Sequence, residues 1–370
     1  MPESEYIYLL SHMPGITYQM SRQLLQQYGS ATAVFDNRDA LPESVRLALE
    51  GHLATARERM EKEFAFCTKN GIRVLTYDAP DYPKRLRHTP EAPLTLFYKG
   101  HAQLNAKRAI SIVGTRKISE YGKSVCQNLC QEIKTLLPDC LVISGLAYGV
   151  DIHAHRACLQ NSLPTVGVLA HGLDRIYPSL HLQTARCMME GAGGLLTEYI
   201  TGTNPDKGNF VRRNRIVAGM TDATIVVESA EKGGSLITAR LAQSYGRKVL
   251  AVPGRIYDLH SAGCNHLIRT GDAHMLTSAN DLLEVMGWEG TPEKDLREKK
   301  EGPTFFPEMD PNRSTLERNI LMALQERDEW DKNELARHLN EKVTEILTAA
   351  FTLEMDGLLI QMGGNRIRRA

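Results

Sequence analysis

The chain has 370 residues, 42% of them apolar and 24% charged, which is typical of a soluble globular protein with two or three domains. Its 44 basic and 44 acidic side chains cancel, which excludes an overall polycation, so any nucleic-acid site must be a local patch. No apolar run reaches the roughly 20 residues of a membrane helix, and the N-terminus lacks a signal-peptide pattern. We therefore expect a cytoplasmic protein without membrane partners. Seven cysteines without C-x-x-C spacing predict buried thiols, with neither zinc nor disulfides.

Residues 1–62 are predicted to form a helical domain. Apolar residues recur at helical spacing on both sides of a sharp break, Met-Pro-Gly-Ile at 13–16. The pattern resembles a helix-hairpin-helix of the SAM-like kind, which can bind phosphate through backbone N–H groups. Thr17 stands where a second glycine usually permits close approach, and this favours a structural role.

Residues 63–288 alternate short apolar runs with helical patterns. Six runs are typical of buried strands: 110–113, 141–143, 165–169, 194–197, 224–227 and 249–252. Most precede a glycine turn and an amphipathic segment, which predicts a Rossmann-like, doubly wound α/β sheet that is mostly parallel. Ligands of such sheets bind beyond the carboxyl ends of the strands. We therefore expect one rim to contain the loops 114–117, 144–149, 171–174 and 232–235.

The segment 207–215, Lys-Gly-Asn-Phe-Val-Arg-Arg-Asn-Arg, places four cations, one aromatic ring and two amides within nine residues. Cations attract phosphates, and an aromatic face stacks on any base without demanding its identity. The segment therefore predicts a site for single-stranded nucleic acid. We expect Phe210 to lie exposed in a loop as a stacking platform. The alternative is that the basic residues decorate an exposed helix start.

Several segments of the chain resemble enzyme motifs but lack part of the required pattern. Gly-Lys-Ser at 122–124 resembles the end of a Walker A loop, but Lys117 stands where that loop needs glycine. The run Asp-Ile-His-Ala-His at 151–155 invites a metal hypothesis, although residues two apart face different ways on a helix, and a capping role for Asp151 is simpler. Cys264 near His266 is better explained as a structural thiol. We expect neither a metal nor a cofactor.

Residues 289–312 are highly charged and contain Gly-Pro, a composition typical of a linker. In the following domain, 313–370, Ser314 with Glu317 and Asp331 with Glu334 mark two helix starts, and a third helix is expected over 344–355. A hairpin is predicted from the runs 358–362 and 365–369 around Gly-Gly. This order of elements is typical of a winged helix-turn-helix.

The wing of this domain carries the arginines Arg366, Arg368 and Arg369. Basic wings often contact phosphates, but winged helices also dock proteins, and the third helix is mostly apolar and acidic. The sequence favours docking or dimer support.

Six segments in the middle domain resemble, in order, the DprA (Smf) family of bacterial DNA-processing proteins. They are Ile-Val-Gly-Thr-Arg at 112–116, Ser-Gly-Leu-Ala-Tyr-Gly-Val-Asp-Ile-His-Ala-His at 144–155, Gly-Leu-Asp-Arg-Ile-Tyr-Pro at 172–178, Arg-Asn-Arg-Ile-Val-Ala-Gly at 213–219, Gly-Ser-Leu-Ile-Thr-Ala at 234–239 and Ala-Val-Pro-Gly at 251–254. The helical N-terminal and winged-helix C-terminal domains also resemble that family's layout.

The resemblance implies a non-enzymatic homodimer that binds and protects single-stranded DNA and loads the recombinase RecA in natural transformation. It implies DNA contacts at Gly114, Thr115, Arg116, Lys207, Phe210, Arg212, Arg213, Asn214 and Arg215. Secondary contacts would come from Lys117 and the wing arginines Arg366, Arg368 and Arg369. One departure is that Val211 stands where the family often has proline after the phenylalanine, which removes local stiffening.

The alternative function is a nucleotide-processing enzyme resembling the lysine-decarboxylase-like phosphoribohydrolases. Their Pro-Gly-Gly-x-Gly-Thr loop is followed by a catalytic glutamate. Here 232–238 keeps the double glycine, but it lacks the Gly-Thr pair and a following glutamate through Tyr245. Glu228 could supply the acid or base, although ordering the rim is the simpler role for it.

Overall fold

The computed structural model describes residues 1–290, 313–327, 329–356, 358–362 and 365–369. The chain divides into two compact units, Met1–Pro292 and Glu293–Ala370. Apart from 289 and 290, the predicted linker lies outside the described residues. Within the ranges described, no helix is long and apolar enough to cross a membrane.

The first unit begins with four helices: α1 (Glu3–His12), α2 (Tyr18–Tyr28), α3 (Ala31–Asp36) and α4 (Glu43–Lys69). The break between α1 and α2 contains Gly15 at φ +85°, a conformation that glycine adopts without strain. Thr17 caps α2 by accepting a hydrogen bond from the Met20 N–H at 3.3 Å. The apolar core of these helices extends to Phe97 in the sheet. The predicted domain boundary at 62/63 falls inside α4.

A nine-stranded sheet forms the centre of this unit. Its strands are β1 (Arg73–Thr76), β2 (Thr95–Gly100), β3 (Ala109–Val113), β4 (Leu141–Ser144), β5 (Thr165–Val168), β6 (Gly194–Thr197), β7 (Ala223–Val226), β8 (Lys248–Ala251) and β9 (His274–Met275). They lie in the order β1-β2-β6-β5-β4-β3-β7-β8-β9. The pairs β1–β2 and β2–β6 are antiparallel and the remaining pairs are parallel. All six predicted strands are confirmed, whereas β1, β2 and β9 were not predicted.

Helices cover both faces of the sheet, as the doubly wound prediction requires. They are α5 (Lys84–Arg87), α6 (Glu120–Leu136), α7 (Val150–Gln160), α8 (Leu182–Glu190), α9 (Lys207–Gly219), α10 (Ser235–Ser244), α11 (Ala262–Thr270) and α12 (Ala279–Met286), with 3-10 turns at Arg38–Ala40 and Ser179–His181. Side chains alternate across a strand, so Ile110 and Ile112 pack with α6, α7 and α12, while Ala109 and Val113 pack with α9, α10 and α11. The mostly parallel α/β fold is thereby confirmed.

The second unit contains α13 (Thr315–Glu326), β10 (Glu329–Asp331), α14 (Lys332–Leu339), α15 (Val343–Met355), β11 (Leu359–Met362) and β12 (Arg366–Arg369). The predicted capping box of Ser314 and Glu317 is present, and Asp331 caps α14. The strands form a small antiparallel sheet, β10-β12-β11. The predicted hairpin is therefore found as β11 and β12, while its Gly-Gly turn lies outside the described residues. Strand β10 was not predicted.

Candidate nucleic-acid interface

A crevice of about 330 Å³ opens beyond the carboxyl ends of the central strands. It lies where the chain order of the sheet reverses, since β3 has β4 on one side and β7 on the other, and such switch points are where doubly wound sheets bind ligands. Three of the four predicted rim loops contribute to it. The lining residues are Val113, Gly114, Thr115, Arg116, Gly145, Ala147, Tyr148, Asp151, Lys207, Phe210, Val211, Arg213, Asn214, Val217, Ala230, Gly233, Gly234, Ser235, Ile237 and Thr238.

Three helices begin at this crevice without a capping side chain. The residues preceding α7, α9 and α10 are Gly149, Asp206 and Gly234, and none of them makes a side-chain cap hydrogen bond. The first N–H groups of a helix have no partner within it and carry a partial positive charge. The three helix starts therefore add partial positive charge to the crevice, beside its cations, although at α7 the Val150 and Ile152 N–H groups already donate to the Thr115 and Ala147 carbonyls.

Glycine is required at two positions in the crevice wall. A Cβ on Gly145 would lie 2.3 Å from the Arg213 guanidinium. Gly149 has φ +78°, and a Cβ there would lie 2.0 Å from the Thr115 carbonyl oxygen. The approach at Gly145 brings α9 against the loop after β4, and the approach at Gly149 brings the loops after β3 and β4 together, where the Val150 N–H donates to the Thr115 carbonyl at 3.1 Å.

The basic segment 207–215 does not form the loop that we expected. It is the first part of α9, beginning at Lys207, and the Phe210 N–H donates to the Asp206 carbonyl at 3.2 Å. The helix continues because Ile216 and Val217 bury their side chains in the core on one face of the sheet. The segment therefore lies at a helix start and not in a loop, and its predicted nucleic-acid role stays a prediction.

Phe210 is half-buried and sits within a small cluster at the mouth of the crevice. The Arg116 guanidinium lies 4.9 Å from the centroid of its ring, in cation–π range. The Tyr177 ring is 5.9 Å away between centroids, at an interplanar angle of 54°. The expectation that Phe210 lies exposed in a loop needs correction, because Arg116 and Tyr177, which comes from the loop after β5, cover part of its ring.

The side chain of Arg213 points into the protein, and the residue is only 4% exposed. Its Nη1 donates to the Gly145 carbonyl at 2.5 Å and also to the Val168 carbonyl, at the ends of β4 and β5. Burial raises the pKa of the neighbouring Asp151 carboxyl, and the Arg213 charge opposes that rise. The guanidinium thus holds the crevice wall from inside, and the predicted DNA contact of Arg213 stays a prediction.

Arg215 is also turned inward, at 9% exposure. It pairs with the Glu198 carboxylate and donates to the Glu91 carbonyl at 2.7 Å. Burial raises the pKa of Glu198, while the adjacent Arg215 charge lowers it. Its hydrogen-bonding groups serve these internal partners, and its predicted role as a direct phosphate contact stays a prediction.

The other predicted contacts divide into two groups. Most line the crevice: Gly114, Thr115, Arg116, Lys207, Phe210 and Asn214. Arg212 and Lys117 are exposed just outside its lining. The described part of the crevice thus presents Arg116 and Lys207 to solvent.

The wing arginines belong to the second unit. Arg366 is exposed and pairs with Glu329 at 2.9 Å. Arg368 is exposed, and the side chain of Arg369 lies outside the description. The wing therefore presents at least one exposed cation beside an ion-paired one.

The residues weighed for catalysis have structural partners. Glu228 accepts hydrogen bonds from the Ser119 N–H at 2.9 Å and from the Ser119 hydroxyl, which orders the rim. Burial raises the pKa of Cys264 to about 12, so the thiol stays protonated. Asp151 is not the cap of α7, a position that Gly149 occupies. It instead accepts from the Ala147 N–H at 3.4 Å.

Two aromatic residues, one in the crevice lining and one next to it, were not among the predicted contacts. Tyr148 lines the crevice, and Tyr177 packs on Phe210. Both lie in segments that resemble the DprA (Smf) family: Tyr148 stands between Gly145 and Gly149, and Tyr177 just before Pro178. Their position in glycine-containing loops after strand ends was the available signal, since aromatic residues there have little local core to join.

The DNA recombination-mediator protein A family matches residues 73–287, more than half of the chain. The DNA processing protein DprA of Bacillus subtilis is 38% identical over 240 residues, covering 65% of this chain and 80% of that protein. Protein Smf of Escherichia coli is 31% identical over 324 residues, covering 86% and 83% respectively.

Two solved structures are similar to this fold. DNA processing protein A from Streptococcus pneumoniae superposes with a TM-score of 0.63 at 31% identity, over 77% of this chain and 98% of that one. DNA processing protein A from Helicobacter pylori, described for its single-stranded DNA binding mode, gives 0.52 at 28% identity over 58% and 95%. The chain therefore belongs to the DNA recombination-mediator protein A family.

Proposed function

We propose that the protein binds single-stranded DNA in the crevice at the switch point of the sheet. The observation that carries this proposal is the Arg116 guanidinium over the Phe210 ring, beside three uncapped helix starts. Cations and backbone N–H groups suit phosphates, and the ring suits an unpaired base. The single-stranded DNA binding described for the Helicobacter pylori relative supports the same partner.

A mobility-shift comparison of single-stranded and duplex DNA of one sequence, across a salt series, tests this function. We expect strong preference for the single strand, with affinity falling as salt rises because phosphate neutralisation releases counterions. Equal affinity for both forms, or affinity unchanged by salt, would contradict it.

We further propose that this binding serves recombination in the cytoplasm, protecting the strand and helping RecA to load. The family description as a recombination mediator supports this role. Nuclease protection of a bound oligonucleotide and the lag before RecA filaments form on single-stranded DNA are the direct measurements. A lag that the protein does not shorten would remove the loading role while leaving DNA binding intact.

We also propose that two copies of the chain form a homodimer through their α/β units. The sheet ends at the two-residue strand β9, where Met275 is exposed, and an open sheet edge is a surface that another chain can cover. Light scattering at rising protein concentration gives the mass in solution. A monomer mass throughout would exclude the dimer.

We propose that the crevice binds without covalent chemistry. The carboxylate that the nucleotide-processing alternative needs, Glu228, is buried and bonded to Ser119, and it is not part of the crevice lining. Incubation with nucleoside monophosphates tests the alternative, and release of free base would favour an enzyme.

A further inference from the structure

We propose that Tyr148 and Tyr177 are base-stacking residues, so that the crevice holds several unpaired bases and not only one on Phe210. This inference rests on the proposed single-strand function and adds two binding residues to it. Both rings are large, partly apolar and open to solvent, with 43% exposure for Tyr148 and 46% for Tyr177.

Each tyrosine is held in place by a buried histidine. The Tyr148 ring meets the His181 ring edge-on at 5.2 Å, and His181 Nδ1 donates to the Leu146 carbonyl at 2.8 Å. The Tyr177 N–H donates to His171 Nε2 at 3.3 Å, while His171 Nδ1 donates to the Gly172 carbonyl at 2.9 Å. The histidines therefore hold the backbone at Tyr177 and one edge of the Tyr148 ring, which reduces the conformational entropy lost on binding.

The geometry of Tyr177 and Phe210 suits separate bases. Their centroids are 5.9 Å apart and their planes are tilted by 54°, so one flat base cannot stack on both. Two bases stacked on these tilted rings are themselves unstacked from each other, and a duplex cannot supply them in that form.

The surrounding charge favours a nucleic acid over an apolar protein surface as the occupant. Arg116 covers Phe210, and Lys207 stands at the exposed start of α9 beside the same rings. A purely apolar partner would desolvate these cations and the uncapped helix starts without pairing them. A strand that alternates phosphates with bases pairs both kinds of group.

The test uses the full chain with Tyr177→Ala and Tyr148→Ala, each with a phenylalanine counterpart that keeps the ring. Each alanine variant should lose single-strand affinity about 5-fold to 150-fold, as expected for one stacked base. The phenylalanine variants should retain it, and the salt slope should not change, because no charge is removed. Phe351→Ala, which removes a 60% exposed aromatic from the second unit, is the matched control and should bind normally.

Combining Tyr177→Ala with Phe210→Ala separates stacking from positioning. If each ring takes its own base, the two losses of affinity multiply. If Tyr177 only supports Phe210, the double variant will bind like Phe210→Ala alone, and the inference is overturned.

The same binding measurements distinguish a failure of the stacking inference from a failure of the proposed DNA-binding function. Wild-type protein that does not bind single strands would overturn the proposed function itself. Normal wild-type binding, weakened by Phe210→Ala but unchanged in both tyrosine variants, would overturn only the inference. Melting temperatures of the single Tyr148, Tyr177 and Phe351 variants should stay close to that of the wild type, since these three rings are exposed.

Discussion

Helix α9 presents two basic regions with opposite environments. Its outward side carries Lys207 and Arg212, both exposed, beside the half-buried Phe210. Its inward side carries Arg213 and Arg215, whose guanidinium groups bond to backbone carbonyls and a buried carboxylate. The four cations are close in sequence, yet half of them lie inside the protein.

The difference shows that a cluster of cations in a sequence does not give the charge at a surface. A helix turns about 100° per residue, so neighbours such as Arg212 and Arg213 point in different directions. Because a buried cation needs compensating partners, the inward arginines fix the loops after β4 and β6 to α9. The outward residues can then meet a ligand from a rigid wall.

The largest expected effect comes from removing an inward cation. Arg213→Met leaves the Gly145 and Val168 carbonyls without their donor and Asp151 without its nearby charge. Breaking such a buried arrangement costs about 3 to 5 kcal/mol, which urea denaturation measures. The neighbouring Arg212→Met is the matched control and should change stability by less than about 0.5 kcal/mol. Normal stability with lost DNA affinity in Arg213→Met would move Arg213 to the outward group.

The second-largest effect is a loss of unfolding free energy at acid pH, caused by the buried His155. His155 is fully buried, its Nδ1 lies 2.7 Å from the Thr165 hydroxyl, and burial lowers its pKa to about 3. The folded pKa is below the unfolded value of about 6.5. Its stabilisation is therefore complete above pH 6.5 and is lost as pH falls toward 3.

Between pH 7 and pH 4.5, the wild type should lose about 2 to 3 kcal/mol more unfolding free energy than His155→Gln, which has no proton to take up there. Urea titrations of both proteins at the two pH values measure this. Equal losses would mean that His155 does not titrate with folding.

Sequence patterns predicted the parallel sheet, its rim loops and the residue types of the site. They succeeded because β3 to β8 are short apolar runs next to glycine turns, a local property of the chain. They failed for β1, whose exposed Arg73 obscures the pattern, and for β9, which has two residues. The inward orientation of Arg213 depends on carbonyls 68 and 45 residues away in the chain, and no local pattern contains that information.

Phe210→Ala removes the ring from the outward side. Stacking contributes about 1 to 3 kcal/mol per base, so single-strand affinity should fall about 5-fold to 150-fold, and Phe210→Trp should retain it. A core phenylalanine would instead cost about 3 to 5 kcal/mol of stability when truncated. Melting temperature and affinity measured on the same sample separate the two cases. A large fall in melting temperature with normal affinity would place Phe210 with the inward residues.

The smallest effect is the loss of one outward charge. Lys207→Ala removes an exposed cation at the start of α9, where it can neutralise one phosphate without reading a base. The slope of log affinity against log salt should therefore become shallower by about 0.7, the single-strand value per phosphate, for every DNA sequence tested. Lys248→Ala is the matched control, because Lys248 is exposed at the amino end of β8, whereas the crevice lies beyond the carboxyl ends of the strands. Equal slopes for Lys207→Ala and Lys248→Ala would show that the strand does not run past α9. A change confined to Lys207→Ala would fix the phosphate path on its outward side.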